Sequence, residues 1–273
     1  MELKVTRYEI DEHGVATLWL DRPGRGNSWT GRMHAEIRWI CATLDADPRV
    51  RVIVLTGTGN AFCVGADFKA LDHYVEADHY DPALPREAAN PGYGVRPEFD
   101  GDMVWQLGLS KPMIAAVNGA CAGIGIALMA FCDLRFAVEG AKFTTANSRL
   151  GLPAEYGLSW ILPRLIGVTH TADLLYTSRV VLAEEMRHWG LFNDVLPAER
   201  FGDHVADYAR LLAGVSPDSV TTAKRQLWGD LLHDDPRSSV ERSKELIDEM
   251  MQRPDYLEGV KAMRDKRPPR FTR

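Results

Sequence analysis

Short apolar runs alternate with stretches of helical spacing along most of this chain. The pattern predicts an antiparallel hairpin at the start, formed by Val5–Ile10 and Gly14–Leu20 around a turn of polar residues. Apolar residues then recur every three or four positions over Thr30–Asp45, which indicates an amphipathic helix. Two buried strands follow, Val52–Leu55 and Met113–Val117, and each leads into a glycine-rich turn.

Helices are predicted between and after these strands, one starting within Ala66–His73 and one spanning Gly101–Leu109. Since strands and helices alternate over residues 1–198, we predict an α/β fold in which ββα units are stacked. The segment Tyr74–Pro97 has four prolines and no periodicity. It is either a mobile surface insertion or the roof of a ligand pocket, because long irregular segments in compact domains are usually functional or disordered.

The last part of the chain is helical by the same criterion. Pro217 and Pro236 follow Ser216 and Asp235, and proline is favoured at the first position of a helix. We therefore divide the chain into a core, residues 1–198, and a C-terminal helical subdomain, residues 199–273. The predicted helices of this subdomain are Glu199–Ala213, Pro217–Leu232, Arg237–Gln252 and Asp255–Lys266.

Composition narrows the class of protein. The chain is 45% hydrophobic and 26% charged, which is typical of a soluble globular protein. Its net charge of −6 gives no attraction to nucleic acid or to an anionic membrane, and its apolar runs are too short to span a bilayer. The N-terminus lacks the apolar stretch of a signal peptide. The four cysteines lie in apolar settings, so we expect buried free thiols in a reducing cytoplasm.

The most specific chemistry lies in the turns after the two buried strands. Gly123 and Gly125 open an apolar helix, and glycines there let a ligand approach the backbone without meeting a Cβ. The first N–H groups of a helix have no internal partner, which suits an oxygen that becomes an anion during a reaction. A similar turn precedes Ala66, so one N–H group from each turn is expected to converge on one carbonyl oxygen.

The same turns have two other interpretations. In the first, both are simply tight turns. In the second, the strand, the GIGIAL segment and the helix form a dinucleotide site. The third glycine of that fingerprint is missing, however, and no acidic residue ends a strand about 20 residues later, where ribose binding requires one.

Three segments together resemble the crotonase superfamily, also called the enoyl-CoA hydratase/isomerase family: AFCVGADFKAL, KPMIAAVNGACAGIGIALMAFCDLRFAVEGAKF and LGLPAEYGLSWILPRLIG. The resemblance implies a spiral of stacked ββα units with a C-terminal helical subdomain that builds a homotrimer or a dimer of trimers. It also implies an acyl-CoA thioester as the ligand, with coenzyme A entering as part of the substrate and no separate cofactor. The scattered histidines predict no metal site.

The resemblance also implies roles for particular residues. The backbone N–H groups of Ala66 and Ile124 match the two donors that hold the thioester oxygen. Arg25, in RPGRGNS, matches a basic residue that contacts the phosphates of coenzyme A, and a solvated loop arginine is the competing explanation. The backbone of Ala66, Asp67 and Phe68 matches the segment that recognises adenine.

Hydratases of this family use two glutamates on opposite sides of a water molecule. The first stands three residues beyond the donor at Ile124, where this chain has Ala127. The second stands four residues after Phe143, where this chain has Asn147. Alanine cannot transfer a proton and an amide is not a general base near neutral pH, so both catalytic groups of a hydratase are absent.

A different carboxylate is available at Glu155 in GLPAEYGLSW. It matches the glutamate with which some relatives, the Δ3,Δ2-enoyl-CoA isomerases among them, move a proton from C2 to C4. We expect Phe143, Leu158 and Trp160 to surround it with an apolar pocket and to raise its pKa toward working pH. The competing interpretation is a glutamate that only complements the dipole at the start of a helix.

Two classes of function follow. The first is an acyl-CoA-processing enzyme of the hydratase/isomerase type, which stabilises a thioester enolate and in which Glu155 shuttles the proton in preference to two-glutamate hydration. The second is a non-catalytic acyl-CoA-binding protein, favoured by Ala127 and Asn147. Hydrolysis or dehalogenation of a special acyl-CoA is a further alternative within the family.

Overall fold

The computed structural model describes residues 1–67, 96–101 and 103–271. Two sheets lie in this part of the chain. Most of the predicted helix start at Ala66–His73 and of the segment Tyr74–Pro97 lies outside the described residues. The strands are β1 (Thr6–Ile10), β2 (Val15–Leu20), β3 (Val52–Gly57), β4 (Ala61–Cys63), β5 (Met113–Val117), β6 (Ala120–Ala122), β7 (Leu134–Val138), β8 (Lys142–Thr144), β9 (Val181–Leu182) and β10 (Asp194–Leu196).

The larger sheet has six strands in the order β1-β2-β3-β5-β7-β10, and the smaller has four in the order β4-β6-β8-β9. Strands β1 and β2 form the predicted antiparallel hairpin, while β2 to β10 in the larger sheet run parallel. Three of the four inner strands of the larger sheet are each followed by a short strand of the smaller one: β3 by β4, β5 by β6 and β7 by β8. This repetition confirms the predicted α/β fold of stacked ββα units.

The predicted helices of the C-terminal part are also confirmed. Helix α6 begins with Pro217 after the capping residue Ser216, and α7 begins with Pro236 after the capping residue Asp235. The helices of the described residues are α1 (Gly31–Ala46), α2 (Ile124–Ala130), α3 (Leu158–Thr177, broken at Gly167), α4 (Ala183–His188), α5 (Ala198–Ala213), α6 (Pro217–Asp230), α7 (Pro236–Met250) and α8 (Pro254–Asp265).

The predicted helix Gly101–Leu109 is wrong. This segment has only a short 3-10 turn, Trp105–Gly108, and Met103 has a φ of 61°, which an α-helix does not allow. Trp105, Gln106 and Leu107 are all buried, so the apolar residues of the segment are enclosed on every side and do not form one helical face. Their spacing therefore carried no information about helical structure.

The larger sheet is buried on both faces. Alternate residues of β3 face two separate clusters: Ile53 and Leu55 contact one side, and Val52 and Val54 contact the other. Helices α1, α2 and α3 pack in the first cluster. Helix α5 covers the second face with three buried residues: Phe201, Val205 and Ala209. The first helix after residue 198 is therefore a layer on the sheet, and the division of the chain at that residue stays a prediction.

A buried ion pair fixes helix α6 to the core. Lys224 Nζ lies 2.7 Å from Asp133 Oδ2 and also donates to the backbone carbonyls of Gln106 (2.8 Å) and Lys111 (2.9 Å). The indole of Trp228 donates to the other oxygen of Asp133 at 2.8 Å. One charged side chain thus ties α6 both to the start of β7 and to the chain that leads into β5.

Replacing Lys224 by methionine should lower the free energy of unfolding by about 3–5 kcal/mol, because the Asp133 carboxylate then stays buried without its cation. Lys244→Met is the matched control, since Lys244 forms an exposed pair with Glu241 and should change stability by less than about 0.5 kcal/mol. Urea denaturation of both variants measures the difference. Equal, small losses would show that α6 does not depend on this ion pair.

No helix of the described ranges is both long and apolar enough to cross a membrane.

Candidate active site

The two glycine turns singled out in the sequence lie against each other. Strands β4 and β6 are parallel neighbours in the smaller sheet, so the turns that follow them leave from the same edge. A Cβ added to Gly123 would lie 3.8 Å from the Cα of Gly65, and one added to Gly65 would lie 3.5 Å from the carbonyl oxygen of Ala122. The peptide groups that lead to Ala66 and Ile124 are therefore close together.

Glycine is required in these turns for two physical reasons. Gly65 has a φ of 102°, and Gly123 combines a φ of 51° with a ψ of −121°, conformations that side chains rarely adopt. At Gly125 the reason is close approach, because an added Cβ would overlap the carbonyl oxygen of Cys63 and lie 3.0 Å from its Cβ. The start of α2 thus packs directly on the strand that leads to Ala66.

The N–H groups of Ala66 and Ile124 lack a hydrogen-bond acceptor among the described residues, whereas those of their neighbours have one. The N–H of Gly123 donates to the carbonyl of Thr144 at 3.0 Å, and the N–H of Asp67 donates to the carbonyl of Trp29 at 3.0 Å. No described residue accepts a hydrogen bond from Ala66 or Ile124. Ile124 is the first residue of α2, so its N–H has no partner within the helix.

The loop that carries Arg25 lies beside these turns. Asp67 Oδ2 accepts hydrogen bonds from Arg22 Nη2 at 2.9 Å and from Ser28 Oγ at 3.0 Å, so this carboxylate binds both ends of the loop. Gly26 accepts from the backbone N–H of Val64 at 3.1 Å. Arg25 itself is exposed, and its contact with phosphates stays a prediction.

The adenine-recognising segment is only partly described. The backbone N–H of Asp67 donates to the carbonyl of Trp29, so it is not available to an adenine. Phe68, the third residue predicted for this role, lies outside the described residues. The role of the segment therefore stays a prediction.

Glu155 stands at the beginning of a strained turn before α3. Its carbonyl accepts from the N–H of Leu158 at 3.0 Å, and the two residues between them, Tyr156 and Gly157, have φ values of 50° and 74°. This is the geometry of a type I′ turn. A left-handed conformation costs a residue such as tyrosine roughly 1–2 kcal/mol. Strain of this kind is concentrated at functional sites in proteins.

The Glu155 carboxylate is half-buried, and no described residue forms a hydrogen bond or ion pair with it. Burial raises its pKa above the ordinary value for a glutamate. Glu36 shows the contrast: burial acts on it in the same direction, but hydrogen bonds from Thr6 and Arg32 outweigh burial and lower its pKa. Glu36 is therefore a structural acceptor, whereas the pKa of Glu155 is raised by burial without a compensating partner among the described residues.

An apolar cavity of about 510 Å³ adjoins the Glu155 turn. Phe131, which ends α2, stacks on Trp160 with ring centroids 6.3 Å apart and planes at 10°. A Cβ on Gly157 would lie 3.1 Å from the Phe131 ring, so glycine is needed for this contact. The lining residues are Glu98, Phe99, Val104, Phe131, Tyr156, Gly157, Trp160 and Leu232.

Helix α2 connects the two parts of the site. Its first residue, Ile124, belongs to the glycine turns, and Phe131 at its other end lines the cavity. Seven helical residues span about 10 Å at 1.5 Å per residue. The structure thus places Ala66 and Ile124 together and links Glu155 to them through α2.

The two positions of the hydratase glutamates hold structural residues. Ala127 is fully buried in α2. The Asn147 amide donates to the carbonyls of Leu152 (3.4 Å) and Leu175 (3.3 Å), and its oxygen accepts from Ser178 Oγ at 3.4 Å. This side chain therefore holds two segments of backbone together.

Some residues that the sequence predicted to line the pocket do not line it, and some that do line it were not predicted. Phe143 does not line the cavity; it packs in the core against Phe192, with ring centroids 5.3 Å apart. Phe99 and Leu232 line it but come from distant parts of the chain, so no local pattern identified them. Tyr156 had no clear signal in the sequence, because only the glycine of the Tyr-Gly pair suits a positive φ and tyrosine is not a residue that such turns favour.

The cysteines are four buried free thiols among the described residues, as expected. Burial raises the pKa of Cys63, which lies just before the first glycine turn, to about 11. At neutral pH it is a thiol and not the thiolate that nucleophilic catalysis requires. No group of three or more metal-ligating side chains occurs within residues 1–67, 96–101 and 103–271.

Glu155→Gln should stabilise the protein at neutral pH. A carboxyl whose pKa is raised by folding favours the folded state only while protonated, so the charged form costs stability above that pKa. The melting temperature of the variant should exceed that of the wild type at about pH 8, and the two should converge near about pH 4. Equal melting temperatures at the higher pH would show that Glu155 is well solvated.

Comparisons with known proteins agree with this geometry. The family model described as Enoyl-CoA hydratase/isomerase matches residues 11–273. The chain is 34% identical over 270 residues to 1,2-epoxyphenylacetyl-CoA isomerase of Escherichia coli (strain K12), covering 96% of each. It is 32% identical over 269 residues to mevalonyl-coenzyme A hydratase of Beauveria bassiana (strain ARSEF 2860), covering 93% of the chain and 90% of that protein.

A solved structure is also similar. A probable enoyl-CoA hydratase/isomerase from Mycobacterium abscessus superimposes with a TM-score of 0.85 at 33% identity, over 98% of both chains. The two relatives above are nearly equally similar to this chain, yet one is named an isomerase and the other a hydratase. Overall similarity therefore does not select the reaction, and the residues of the site must.

Proposed function

The chain belongs to the enoyl-CoA hydratase/isomerase family, and on this premise we propose that it shifts the double bond of an enoyl-CoA with one carboxylate and does not add water with two. It is an enzyme that processes acyl-CoA thioesters. The observation that carries the proposal is the half-buried Glu155 carboxylate, which has no partner among the described residues and lies beside an aromatic cavity, in a chain that has Ala127 and Asn147 at the hydratase positions.

In the proposed complex the thioester carbonyl oxygen accepts hydrogen bonds from the N–H groups of Ala66 and Ile124. Support comes from the contact between the two glycine turns and from the lack of another acceptor for either N–H among the described residues. Donors aimed at an oxygen that gains negative charge stabilise the transition state by about 2.7–4 kcal/mol each. The acyl group then extends toward the cavity at the other end of α2.

The proton then moves in two steps. Glu155 removes a proton from C2 of a 3-enoyl-CoA, and the electrons of that C–H bond form a C1–C2 double bond while the thioester oxygen becomes an oxyanion. The resulting dienolate collapses as Glu155 returns the proton to C4, which leaves the double bond between C2 and C3. No water or other reactant is consumed, so one acid–base group is sufficient.

Hydration requires more than this site offers. Water must be deprotonated by one group while another supplies a proton to C2, and each such group typically contributes about 10²–10⁴-fold to the rate. Ala127 has no proton to give, and the Asn147 amide is held by Leu152, Leu175 and Ser178. We therefore expect slow water addition.

The assembly is proposed to be a homotrimer or a dimer of trimers in the cytoplasm. Helix α7 has no buried residue, and several apolar side chains of α7 and α8 are exposed. Burying them against other copies of the chain removes apolar surface from water. The exposed residues are Val240, Ile247, Tyr256, Leu257, Val260 and Met263.

A different reaction, hydrolysis or dehalogenation of a special acyl-CoA, is the second candidate, because the two family glutamates are absent. An assay distinguishes the two candidate functions: the protein is incubated with trans-3-hexenoyl-CoA, and formation of the conjugated 2-enoyl thioester is followed. We expect turnover, together with crotonyl-CoA hydration at least about 10²-fold slower. Tight binding of both thioesters without any turnover favours the second candidate, and fast hydration contradicts the assignment of the acid–base groups.

A further inference from the structure

The walls of the cavity beside Glu155 are dominated by aromatic rings. Four of the eight described residues that line it are aromatic: Tyr156 and Trp160, which are half-buried, and Phe99 and Phe131, which are almost fully buried. Glu98 is the one charged residue among the eight, and it is ion-paired with Arg96. Among the described residues the cavity therefore offers the partly exposed rings of Tyr156 and Trp160 and no unpaired cation, so it suits an apolar acyl group without a second carboxylate.

These rings are held in place by their surroundings. Phe131 and Phe99 are almost fully buried, and a Cβ on Gly157 would lie 3.1 Å from the Phe131 ring, which is tighter than an ordinary contact. Arg164 lies over Trp160 at 4.1 Å from the ring and donates to its carbonyl at 2.7 Å. The nearly parallel rings of Phe131 and Trp160 are thus both supported by neighbouring residues.

The volume of the cavity also favours a broad acyl group over a short linear one. A volume of about 510 Å³ lies within the range of about 300–1,000 Å³ that is typical of pockets for drug-sized ligands. A short linear acyl group would leave much of this space unfilled. A rigid, broad group fills it better and loses fewer rotatable bonds on binding than a linear chain does.

From these observations we infer that the preferred substrate carries an aromatic ring on its acyl group, and that Trp160 is the residue that selects it. The inference rests on the proposed function, because it assigns the cavity to the acyl part of an acyl-CoA. Ring stacking supplies the preference, since aromatic contacts add to the effect of buried area.

The test compares two saturated thioesters with nine acyl carbons, 3-phenylpropanoyl-CoA and nonanoyl-CoA, by calorimetry. The linear chain has at least as much apolar surface, so burial of area alone gives it no disadvantage. The wild type should bind the phenyl compound about tenfold more tightly. Trp160→Leu keeps an apolar wall but removes the ring face, and should bring the ratio of the two dissociation constants close to one.

Trp19→Leu is the matched control. Trp19 is a half-buried tryptophan on β2 with Arg7 stacked at 3.7 Å, as Arg164 is on Trp160, but it does not line the cavity. Its substitution should leave the wild-type ratio unchanged. An unchanged ratio in Trp160→Leu would overturn the role of that residue.

The remaining outcomes separate the two proposals. If nonanoyl-CoA binds the wild type as tightly as 3-phenylpropanoyl-CoA, or more tightly, the ring preference is overturned while the proposed function stands. If neither thioester binds more tightly than coenzyme A itself, the cavity does not hold the acyl group. That result would overturn the proposed function and the ring preference together.

Discussion

Glu155→Gln is expected to lower isomerisation of trans-3-hexenoyl-CoA by at least about 10²-fold, while acyl-CoA affinity stays nearly unchanged. Glutamine has the size of glutamate and keeps most of its packing, but it cannot accept the C2 proton. The loss should appear in kcat and not in KM, because the missing interaction is made during proton transfer. Steady-state kinetics together with calorimetric binding of a saturated acyl-CoA measure the two effects.

The matched control is Glu199→Gln. Glu199 is an exposed glutamate in the first turn of α5, so it represents a residue that only complements a helix dipole. Its substitution should leave kcat unchanged. If Glu155→Gln behaves like Glu199→Gln, Glu155 is a residue of the helix start and the proton moves through another group.

Gly125→Ala is expected to lower kcat by about 10²–10³-fold, the usual effect of losing one oxyanion donor. The new Cβ would overlap the carbonyl oxygen of Cys63, so α2 or β4 must shift. Either shift changes the position of the Ile124 N–H relative to that of Ala66. The thermal stability of the variant must be measured in parallel, so that kcat refers to folded protein.

Gly202→Ala provides the comparison for this substitution. Gly202 lies within helix α5, and an added Cβ would meet nothing within 4 Å. Alanine there should leave kcat unchanged and stabilise the helix by up to about 1 kcal/mol. If Gly125→Ala retains full kcat, the two N–H groups do not need the close packing of α2 on β4.

Much of the fold could be predicted because its strands and helices have clear patterns. The short strand Met113–Val117 is buried throughout, and the helices that begin at Pro217 and Pro236 are marked by their capping residues. The failure at Gly101–Leu109 has a physical cause. Most of that segment is enclosed by the core and by α6, and a segment whose large side chains are buried on several sides has no single polar face from which periodicity can be read.

The candidate site was predictable only in part, because part of it is formed by residues that are far apart in the sequence. The glycine turns could be placed together because parallel strands end at one edge of a sheet, and glycine marks both turns. The cavity depends on tertiary contacts between distant residues, such as Phe99, Phe131 and Leu232. Likewise, the Asp67 N–H donates to the carbonyl of Trp29 because of the path of the loop, and no local pattern specifies that path.

The fate of deuterium placed at C2 of trans-3-hexenoyl-CoA tests most directly whether one carboxylate carries the proton. The substrate is deuterated twice at C2 and turned over in ordinary water, and the 2-hexenoyl-CoA product is examined by NMR. With Glu155 as a single carrier that is half-buried beside the dienolate, a measurable fraction of the product should have deuterium at C4. Product without any deuterium at C4 would contradict a single shuttle through Glu155.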